Sequence, residues 1–140
     1  MTDAQLALWS GELFNKKVTS AFWSSFKGQY GRTQAEVLVY LMEHEASQAS
    51  QMAEDLNIPK QHASKIVRGL MEDGLVLAAV SPEDRRANRL SLSPKGKALL
   101  MEHIRQSDES FARLLSRLNP PQREELRRAM TAIGEILSAL

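Results

Sequence analysis

Residues 59–74 read PKQHASKIVRGLMEDG, a pattern typical of a short helix with two different faces. One face is apolar and recurs at spacings i, i+3, i+4 and i+7, which a helix places on one side: Ala63, Ile66, Val67 and Leu70. The other face repeats this spacing with polar side chains: Gln61, Ser64, Lys65 and Arg68. Such a helix can pack on a core through one side and offer hydrogen-bonding groups to a partner through the other.

The polar side chains of this helix are of the types that contact nucleic acid. They are long enough to reach base edges and phosphates from a helix lying in the major groove of DNA. Most amphipathic helices carry a basic solvated face that binds nothing, so this interpretation depends on the flanking sequence. The candidate contact residues are Lys60, Gln61, His62, Ser64, Lys65 and Arg68.

A second short helix is predicted immediately before the first. Ser47 is placed to cap its N-terminus, and Asn57 and Ile58 leave room only for a tight turn before Pro59. Asparagine tolerates the left-handed conformation that such a turn requires. Two short helices joined in this way form a helix-turn-helix. In the helix that comes earlier in the chain, the apolar stripe consists of Ala49, Met52, Ala53 and Leu56.

The sequence after residue 74 predicts a β-hairpin. Gly74 is placed as a C-terminal cap, residues 75–80 form an apolar run suited to a strand, and residues 89–93 alternate strictly between polar and apolar. Between them lies the charged loop SPEDRRAN, residues 81–88. A two-stranded hairpin at this point completes a winged helix-turn-helix.

Further helices are predicted on both sides of this region. Residues 3–30 form a long, imperfect amphipathic pattern rich in aromatic side chains, which more often line a core or a subunit interface than a ligand pocket. The next helix is predicted to start at a capping box of Thr33 and Glu36. Toward the C-terminus, Ser93 and Pro94 are placed as the cap and the first residue of another helix.

The last two predicted helices carry heptad-like apolar repeats. The first repeat runs from Leu100 to Leu118, residues 119–121 (Asn-Pro-Pro) separate the helices, and the second runs from Leu126 to Leu140. These repeats hold more apolar surface than one small domain needs, which favours a dimer interface. An intramolecular helical hairpin is the alternative.

The composition of the 140-residue chain is typical of one soluble domain. Hydrophobic residues make up 43% of it, and the absence of cysteine excludes disulfides and thiolate metal sites. No apolar run approaches the length of a membrane span, about 20 residues, and the N-terminus lacks the pattern of an export signal, so we expect a cytoplasmic protein. The formal charge is −3 over residues 1–58, +4 over residues 59–97 and 0 over residues 98–140. Positive charge is therefore concentrated where a nucleic acid would bind.

In this order, the elements resemble the MarR family of bacterial winged-helix transcription regulators. The resemblance is carried by residues 52–76, MAEDLNIPKQHASKIVRGLMEDGLV, and by residues 81–96, SPEDRRANRLSLSPKG. It implies a mainly α (α+β) fold and a single domain over residues 1–140. Residues 33–96 would form the winged helix-turn-helix DNA-binding region, and residues 1–32 and 97–140 the helical dimerisation region.

The resemblance also implies how the protein would act on DNA. A homodimer would insert one recognition helix per protomer into the major groove and each wing into the adjacent minor groove of a pseudo-palindromic operator. The family's wing-tip Asp-x-Arg motif falls on Asp84 and Arg86, with Arg86 as the minor-groove contact and Asp84 as its orienting partner. Arg85 is a further basic candidate in this loop, and a solvated loop ion pair is the alternative interpretation of the motif.

A small aromatic or phenolic effector is a further implication of the resemblance. It would be held between the dimerisation helices and the reading region and would release a repressor from DNA. The candidate walls are residues that ordinary packing also explains: Trp9, Trp23, Phe26 and His44.

Two parts of the sequence depart from the family pattern. Pro59 occupies a position where relatives usually have a capping Ser or Asp, so the first turn of the reading helix loses a side-chain cap. Ala78 and Ala79 occupy the first wing strand, where relatives are often basic. We therefore expect affinity to depend more on the basic residues of the helix and of the wing loop.

No constellation of residues indicates an enzyme, and no cofactor is predicted. The three histidines lie in no catalytic or phosphate-binding motif, and no metal site is predicted from His44 with Glu43 or Glu45, because adjacent residues on a helix point apart. The sequence thus predicts a double-stranded DNA-binding transcription regulator. A winged-helix protein–protein interaction module is the alternative, and salt-dependent duplex binding would separate the two.

Overall fold

A computed structural model describes residues 1–26, 29–80 and 88–140 of the chain. The described residues form two compact units, which we call the helical unit (Met1–Ala21 and Ser107–Leu140) and the winged unit (Phe22–Gln106). The elements in chain order are α1 (Asp3–Phe14), a π-helical segment (Asn15–Thr19), α2 (Ser20–Ser25), α3 (Arg32–Glu43), β1 (Ser47–Gln48), α4 (Ala49–Asp55), α5 (Lys60–Glu72), β2 (Val76–Val80), β3 (Asn88–Leu92), α6 (Pro94–Leu115) and α7 (Pro120–Ser138).

Helices α4 and α5 form the predicted helix-turn-helix. The turn between them is closed by the N–H of Ile58, which donates to the carbonyl of Ala53 at 2.8 Å. Asn57 has a φ of 54°, the left-handed conformation predicted for it. The apolar stripe of α5 is buried, as its spacing predicts: Ala63, Ile66, Val67 and Leu70.

The wing strands β2 and β3 pair antiparallel, with Ala78 opposite Leu90. The sheet also has a third strand that was not predicted: β1 pairs with β3, and the strand order is β1-β3-β2. The prediction that Ser47 caps α4 is wrong, because Ser47 lies in β1 and its hydroxyl donates to the carbonyl of His44 at 2.6 Å. Gln48 occupies the N-cap position instead.

Helix α3 begins earlier than the predicted capping box. Gly31 is its N-cap, and the side-chain Oε1 of Gln34 accepts a hydrogen bond from the Gly31 N–H at 2.8 Å. The predicted cap of Thr33 and Glu36 is therefore wrong. Thr33 lies inside the helix, and Glu36 accepts a hydrogen bond from Arg32 at 3.0 Å.

The predicted long N-terminal helix is realised as α1, the π-helical segment and α2. Thr2 caps its start: the Thr2 hydroxyl accepts from the N–H of Gln5, and the Gln5 side chain accepts from the N–H of Thr2. In the π-helical segment the N–H of Ser20 donates to the carbonyl of Asn15, five residues earlier, which widens one turn. The helix ends at Ser25, short of the predicted limit at residue 30.

The core of the winged unit lies between its helices and the inner face of the sheet. Leu90 and Leu92 point into it from alternate positions of β3. Gly74 ends the turn after α5 with a φ of 74°, as predicted for a C-terminal glycine cap. The largest fully buried side chains of this core include Leu38, Leu41, Met52, Leu70, Leu75 and Leu100.

Helices α6 and α7 start at the predicted residues. The Ser93 hydroxyl accepts a hydrogen bond from the N–H of Gly96 at 2.9 Å before α6. Asn119 and Gln122 form a capping box before α7. Within the described ranges, none of the helices combines the length and the apolar character needed to cross a bilayer.

Candidate nucleic-acid interface

The polar face of α5 lies at the surface of the winged unit. The opposite stripe, from Ala63 to Leu70, is buried, so the helix must present its other side to solvent. All six candidate contact residues of the helix are exposed: Lys60, Gln61, His62, Ser64, Lys65 and Arg68.

Most of these side chains are not engaged within the chain. The Ser64 hydroxyl donates to the carbonyl of Lys60 at 3.0 Å, which leaves its oxygen free to accept. Within the described part of the chain, no side-chain hydrogen bond or ion pair engages Lys60, Gln61, His62, Lys65 or Arg68. This face of α5 therefore holds exposed donors and acceptors that are open to a partner.

The candidate residues do not all point in the same direction. A helix advances by about 100° per residue, so Gln61, Ser64, Lys65 and Arg68 fall within an arc of about 100°. Lys60 lies about 40° before this arc and His62 about 60° beyond it. Lys60 and His62 are therefore placed at the two edges of the polar face, where a duplex would bring phosphates closer than base edges.

The first turn of α5 is uncapped, as the proline at its start predicts. Pro59 occupies the N-cap position, and none of the described side chains accepts a hydrogen bond from the first amides of the helix. These N–H groups point out of the helix end, which carries partial positive charge. They could therefore donate to a phosphate oxygen.

The wing is described as far as Val80 on β2 and again from Asn88 on β3. The wing-tip candidates Asp84, Arg85 and Arg86 lie outside the described residues. On β2, the exposed residues at positions 78 and 79 are alanines, so no basic side chain lies on the surface of the strand at these two positions.

Arg89 is a basic residue of this region that the sequence prediction missed. Its guanidinium Nη1 donates to the carbonyl of Ala46 at 3.2 Å. Ala46 has a φ of 54°, which alanine rarely adopts, so this bond supports a strained turn before β1. The strict alternation of β3 could have indicated Arg89, because Leu90 and Leu92 face the core and their neighbours must face away from it.

The four predicted effector-site residues line different places. Phe26 is 1% exposed, and its ring stacks on His103 with centroids 3.8 Å apart, so it belongs to the core of the winged unit. Trp23 lines a surface cavity of about 150 Å³, and His44 lines another of about 530 Å³. Trp9 lies on α1 in the helical unit, where it lines an open apolar groove.

Tyr40 lines both cavities and was not predicted. Its ring stacks on His44 at 4.2 Å, and its hydroxyl donates to Asp55 Oδ2 at 2.6 Å. The hydrogen bond from Tyr40, followed by one from Gln51, lowers the pKa of the Asp55 carboxyl, while burial is the main cause that raises the pKa of Tyr40. The cavity beside His44 therefore carries an ionised Asp55 together with Arg89.

A metal site is not indicated by this geometry. Among residues 1–26, 29–80 and 88–140, no group of three His, Asp or Glu side chains converges as metal ligands would. His44 instead contacts Tyr40 through its ring face, and its Nδ1 lies 3.1 Å from the Tyr40 carbonyl oxygen.

Residues 29–87 match a sequence model of the MarR family. Solved structures similar to the whole chain include a MarR transcriptional regulator from Methanosarcina mazei Go1, with a TM-score of 0.67, 19% identity and coverage of 98% of this chain and 97% of that one. MepR, a transcription regulator of the Staphylococcus aureus multidrug efflux pump MepA, has a TM-score of 0.74, 19% identity and coverage of 98% and 99%. Streptococcus pneumoniae FabT in complex with DNA has a TM-score of 0.71, 14% identity and coverage of 99% of both chains. No curated protein sequence matches the chain.

These comparisons agree with the fold and the family resemblance that were predicted from the sequence. The structural likenesses, at identities below 25%, establish the winged-helix fold with its flanking helices. The family match covers the whole helix-turn-helix and the first part of the wing, and it confirms the resemblance over residues 52–76 and 81–87. The similar structures from Methanosarcina mazei and Staphylococcus aureus are described as transcription regulators.

Proposed function

We propose that the protein is a sequence-specific double-stranded DNA-binding transcription regulator, on the premise that residues 29–87 match the MarR family. The observation that carries the proposal is the exposed polar face of α5, which follows a tight turn and has few partners within the chain. A merely solvated face would need no such companion helix and turn. The complex of FabT with DNA gives the fold a precedent in DNA binding.

The chemistry of the face suggests a division of labour on DNA. Gln61, Ser64 and Arg68 carry donors and acceptors suited to base edges in the major groove. Lys60 and Lys65 carry point charges suited to phosphates, which bind without reading sequence. We assign base contacts to the first group and affinity for the backbone to the second, with His62 as a further donor at the edge.

A homodimer is the proposed functional form. In the helical unit, large apolar side chains remain exposed on α1 and α7; Trp9 is 55% exposed and Ile136 is 65% exposed. A single protomer that leaves so much apolar surface in water would be prone to associate, because burying such surface is favourable by about 25 cal/mol per Å². The other exposed apolar residues of these two helices are Leu6, Leu8, Leu13, Phe14, Ile133 and Leu137.

A two-fold dimer would set the form of the operator. Two copies of α5 related by the dimer axis would enter successive major grooves on one side of the duplex. We therefore propose a pseudo-palindromic operator with half-sites about one helical turn, roughly 34 Å, apart. At the wing, Arg86 would reach the adjacent minor groove with its guanidinium oriented by Asp84.

We further propose that the protein is a repressor and that a small effector releases it from DNA. We expect it to act in the cytoplasm. The cavities beside Trp23 and His44 share Tyr40, so one ligand in either could disturb the same side chain. Phe26 would act at most indirectly on such a ligand, because it is buried in the core of the winged unit.

Selection of bound duplexes from a random pool tests the proposal. We expect an enriched pseudo-palindrome whose affinity falls steeply with salt, because each phosphate contact releases counterions. Arg68→Ala should lose the preference at one position of each half-site, whereas Arg128→Ala, on α7, removes the same charge and should keep it. A pool without enrichment and binding without salt dependence would favour the protein–protein interaction module instead.

A further inference from the structure

His103 is the most buried ionisable group of the winged unit that the proposed function does not use. It lies on α6 and is 5% exposed. Its ring stacks on Phe26 with an interplanar angle of 25°, and its Nδ1 lies 2.8 Å from the hydroxyl oxygen of Ser25. Ser25 is the last residue of α2 and Phe26 follows it, so the His103 side chain joins the end of α2 to α6.

The hydrogen bonds of Ser25 determine which tautomer the neutral imidazole of His103 adopts. The Ser25 hydroxyl donates to the carbonyl oxygen of Phe22 at 2.5 Å, and a carbonyl oxygen can only accept. The single hydroxyl hydrogen is therefore used, and the Ser25 oxygen must accept from His103 Nδ1–H. The neutral ring in this contact is the Nδ1–H tautomer, with its lone pair on Nε2.

Protonation would leave the bond to Ser25 in place and add a charge and an Nε2–H donor to a nearly buried ring. Burial lowers the pKa of His103, and the carboxylate of Glu102 opposes this shift more weakly. The field of Glu102 is reduced because Arg105 binds that carboxylate at 2.6 Å. From the N-terminal run the ring is faced by Ser25 and Phe26, which carry no charge. The folded winged unit thus favours the neutral ring.

The pH range of this effect follows from the direction of the shift. A histidine whose pKa is lower in the folded state contributes stability that is complete above its unfolded pKa, about 6.5, and is lost as pH falls from there through the lower folded pKa. Glu102 does not titrate in this range, because hydrogen bonds from Arg105 and Gln106 lower its pKa to about 2. Between pH 7.5 and pH 5, the titration at this contact is that of the imidazole.

The contact of His103 with Ser25 and Phe26 lies near the two places where the chain passes from one unit to the other. The chain passes between the two units at Ala21–Phe22 and again at Gln106–Ser107. Ser25 lies three residues from Phe22, where the chain enters the winged unit, and His103 lies three residues from Gln106, where it leaves. The stack and the hydrogen bond therefore join the two segments close to where both leave the winged unit.

We propose that His103 is a pH-sensitive latch: its neutral form stabilises the packing of Ser25 and Phe26 against α6, and protonation in mild acid weakens that packing by placing a charge on a nearly buried ring. The two crossing segments would then be held together less firmly. If the protein binds DNA as proposed above, operator affinity would then fall with pH, because the reading helices of a dimer would be less firmly held.

Titration of the wild-type protein by NMR is the first test. The chain has three histidines, so three imidazole signals can be assigned with His44→Gln and His62→Gln. We expect the His103 signal to report the Nδ1–H tautomer and to titrate below about pH 6.5, the ordinary value. A midpoint at or above that value, or the other tautomer at neutral pH, would overturn the latch.

Urea unfolding between pH 7.5 and pH 5 is the second test. His103→Phe keeps an aromatic ring for the stack but cannot titrate, and His103→Gln keeps a donor for Ser25 and serves if the first variant does not fold. We expect the wild-type unfolding constant to rise on acidification by up to about tenfold per pH unit more than that of either variant. The control His44→Gln removes an exposed histidine and keeps His103, so its pH dependence should follow that of the wild type. His103 variants with the same pH dependence as His44→Gln would refute the proposal.

Operator affinity is measured in the His62→Gln background, because a histidine facing DNA would by itself strengthen binding in acid. We expect the affinity of this background to fall as pH is lowered and that of His62→Gln with His103→Phe to stay level. If neither protein binds DNA at any pH, the proposed function fails, while the titration and the unfolding curves still decide the latch. Equal pH dependence in both proteins would refute the coupling to DNA.

Discussion

Gly96, in the first turn of α6, should not tolerate even a methyl group. A Cβ at this position would lie 2.3 Å from the carbonyl oxygen of Leu75 and 3.3 Å from Leu92 Cδ2. Ordinary contact begins near 3.4 Å, so the oxygen or the helix would have to move by about 1 Å. Leu75 is 2% exposed, and its carbonyl accepts a hydrogen bond from the N–H of Ser93 at 2.9 Å, so this movement would also strain the start of α6.

The expected effect of Gly96→Ala on the free energy of unfolding combines two destabilising contributions and one stabilising contribution. Overpacking a core costs about 1–3 kcal/mol, and a weakened buried hydrogen bond costs about 1 kcal/mol. Helix propensity returns about 1 kcal/mol to alanine over glycine. We therefore expect Gly96→Ala to destabilise the protein by about 1–3 kcal/mol in urea unfolding followed by circular dichroism.

Gly69 supplies the matched control for this substitution. It lies in α5 of the same unit, and a Cβ there would meet nothing within 4 Å. Gly69→Ala should therefore stabilise the protein by up to about 1 kcal/mol through helix propensity alone. If Gly96→Ala unfolds at the same urea concentration as Gly69→Ala, the close approach of α6 to Leu75 does not constrain the fold and the reasoning is wrong.

Three further predictions concern DNA binding and assembly. Leu137→Glu should abolish both dimerisation and operator binding, and sedimentation that finds a monomer with full operator affinity would contradict the dimer. Arg68→Ala should lose about 1–3 kcal/mol at one base pair, whereas Lys65→Ala should weaken all duplexes evenly and flatten the salt dependence; anisotropy titrations on matched and mutated operators measure both. Asp84→Ala should weaken binding although it removes a negative charge, and its effect should be non-additive with that of Arg86→Ala; tighter binding by Asp84→Ala would disprove the pairing.

Periodicity predicted those parts of the fold in which one face of an element is buried. The stripe of α5 was predicted position by position, because a three- and four-residue repeat has only one structural interpretation at this length. Asn57 and Gly74 were predicted from residue type, because few side chains adopt a positive φ. The polar face of α5 followed from the same pattern as the remainder of the helix.

Features that depend on distant partners were not predicted. Strand β1 has two residues and therefore no periodicity, and it forms because β3 offers it a free edge. The left-handed Ala46 before it is not indicated by its residue type. The contact of His103 with Ser25 spans 78 positions, and a lone histidine on a helix gives no sign of such a partner.

The N-terminal aromatic stripe shows how a local irregularity can divide one pattern between two roles. The sequence predicted one long, imperfect amphipathic helix over residues 3–30, yet Trp9 is 55% exposed and Phe26 is 1% exposed. The π-helical segment between them adds a residue to one turn, and each added residue shifts the pattern that follows by about 100° around the helix axis. Residues before Asn15 and after Thr19 therefore do not continue one α-helical stripe. This shift lets the first aromatics remain available for a partner while the last ones fill the core beside His103.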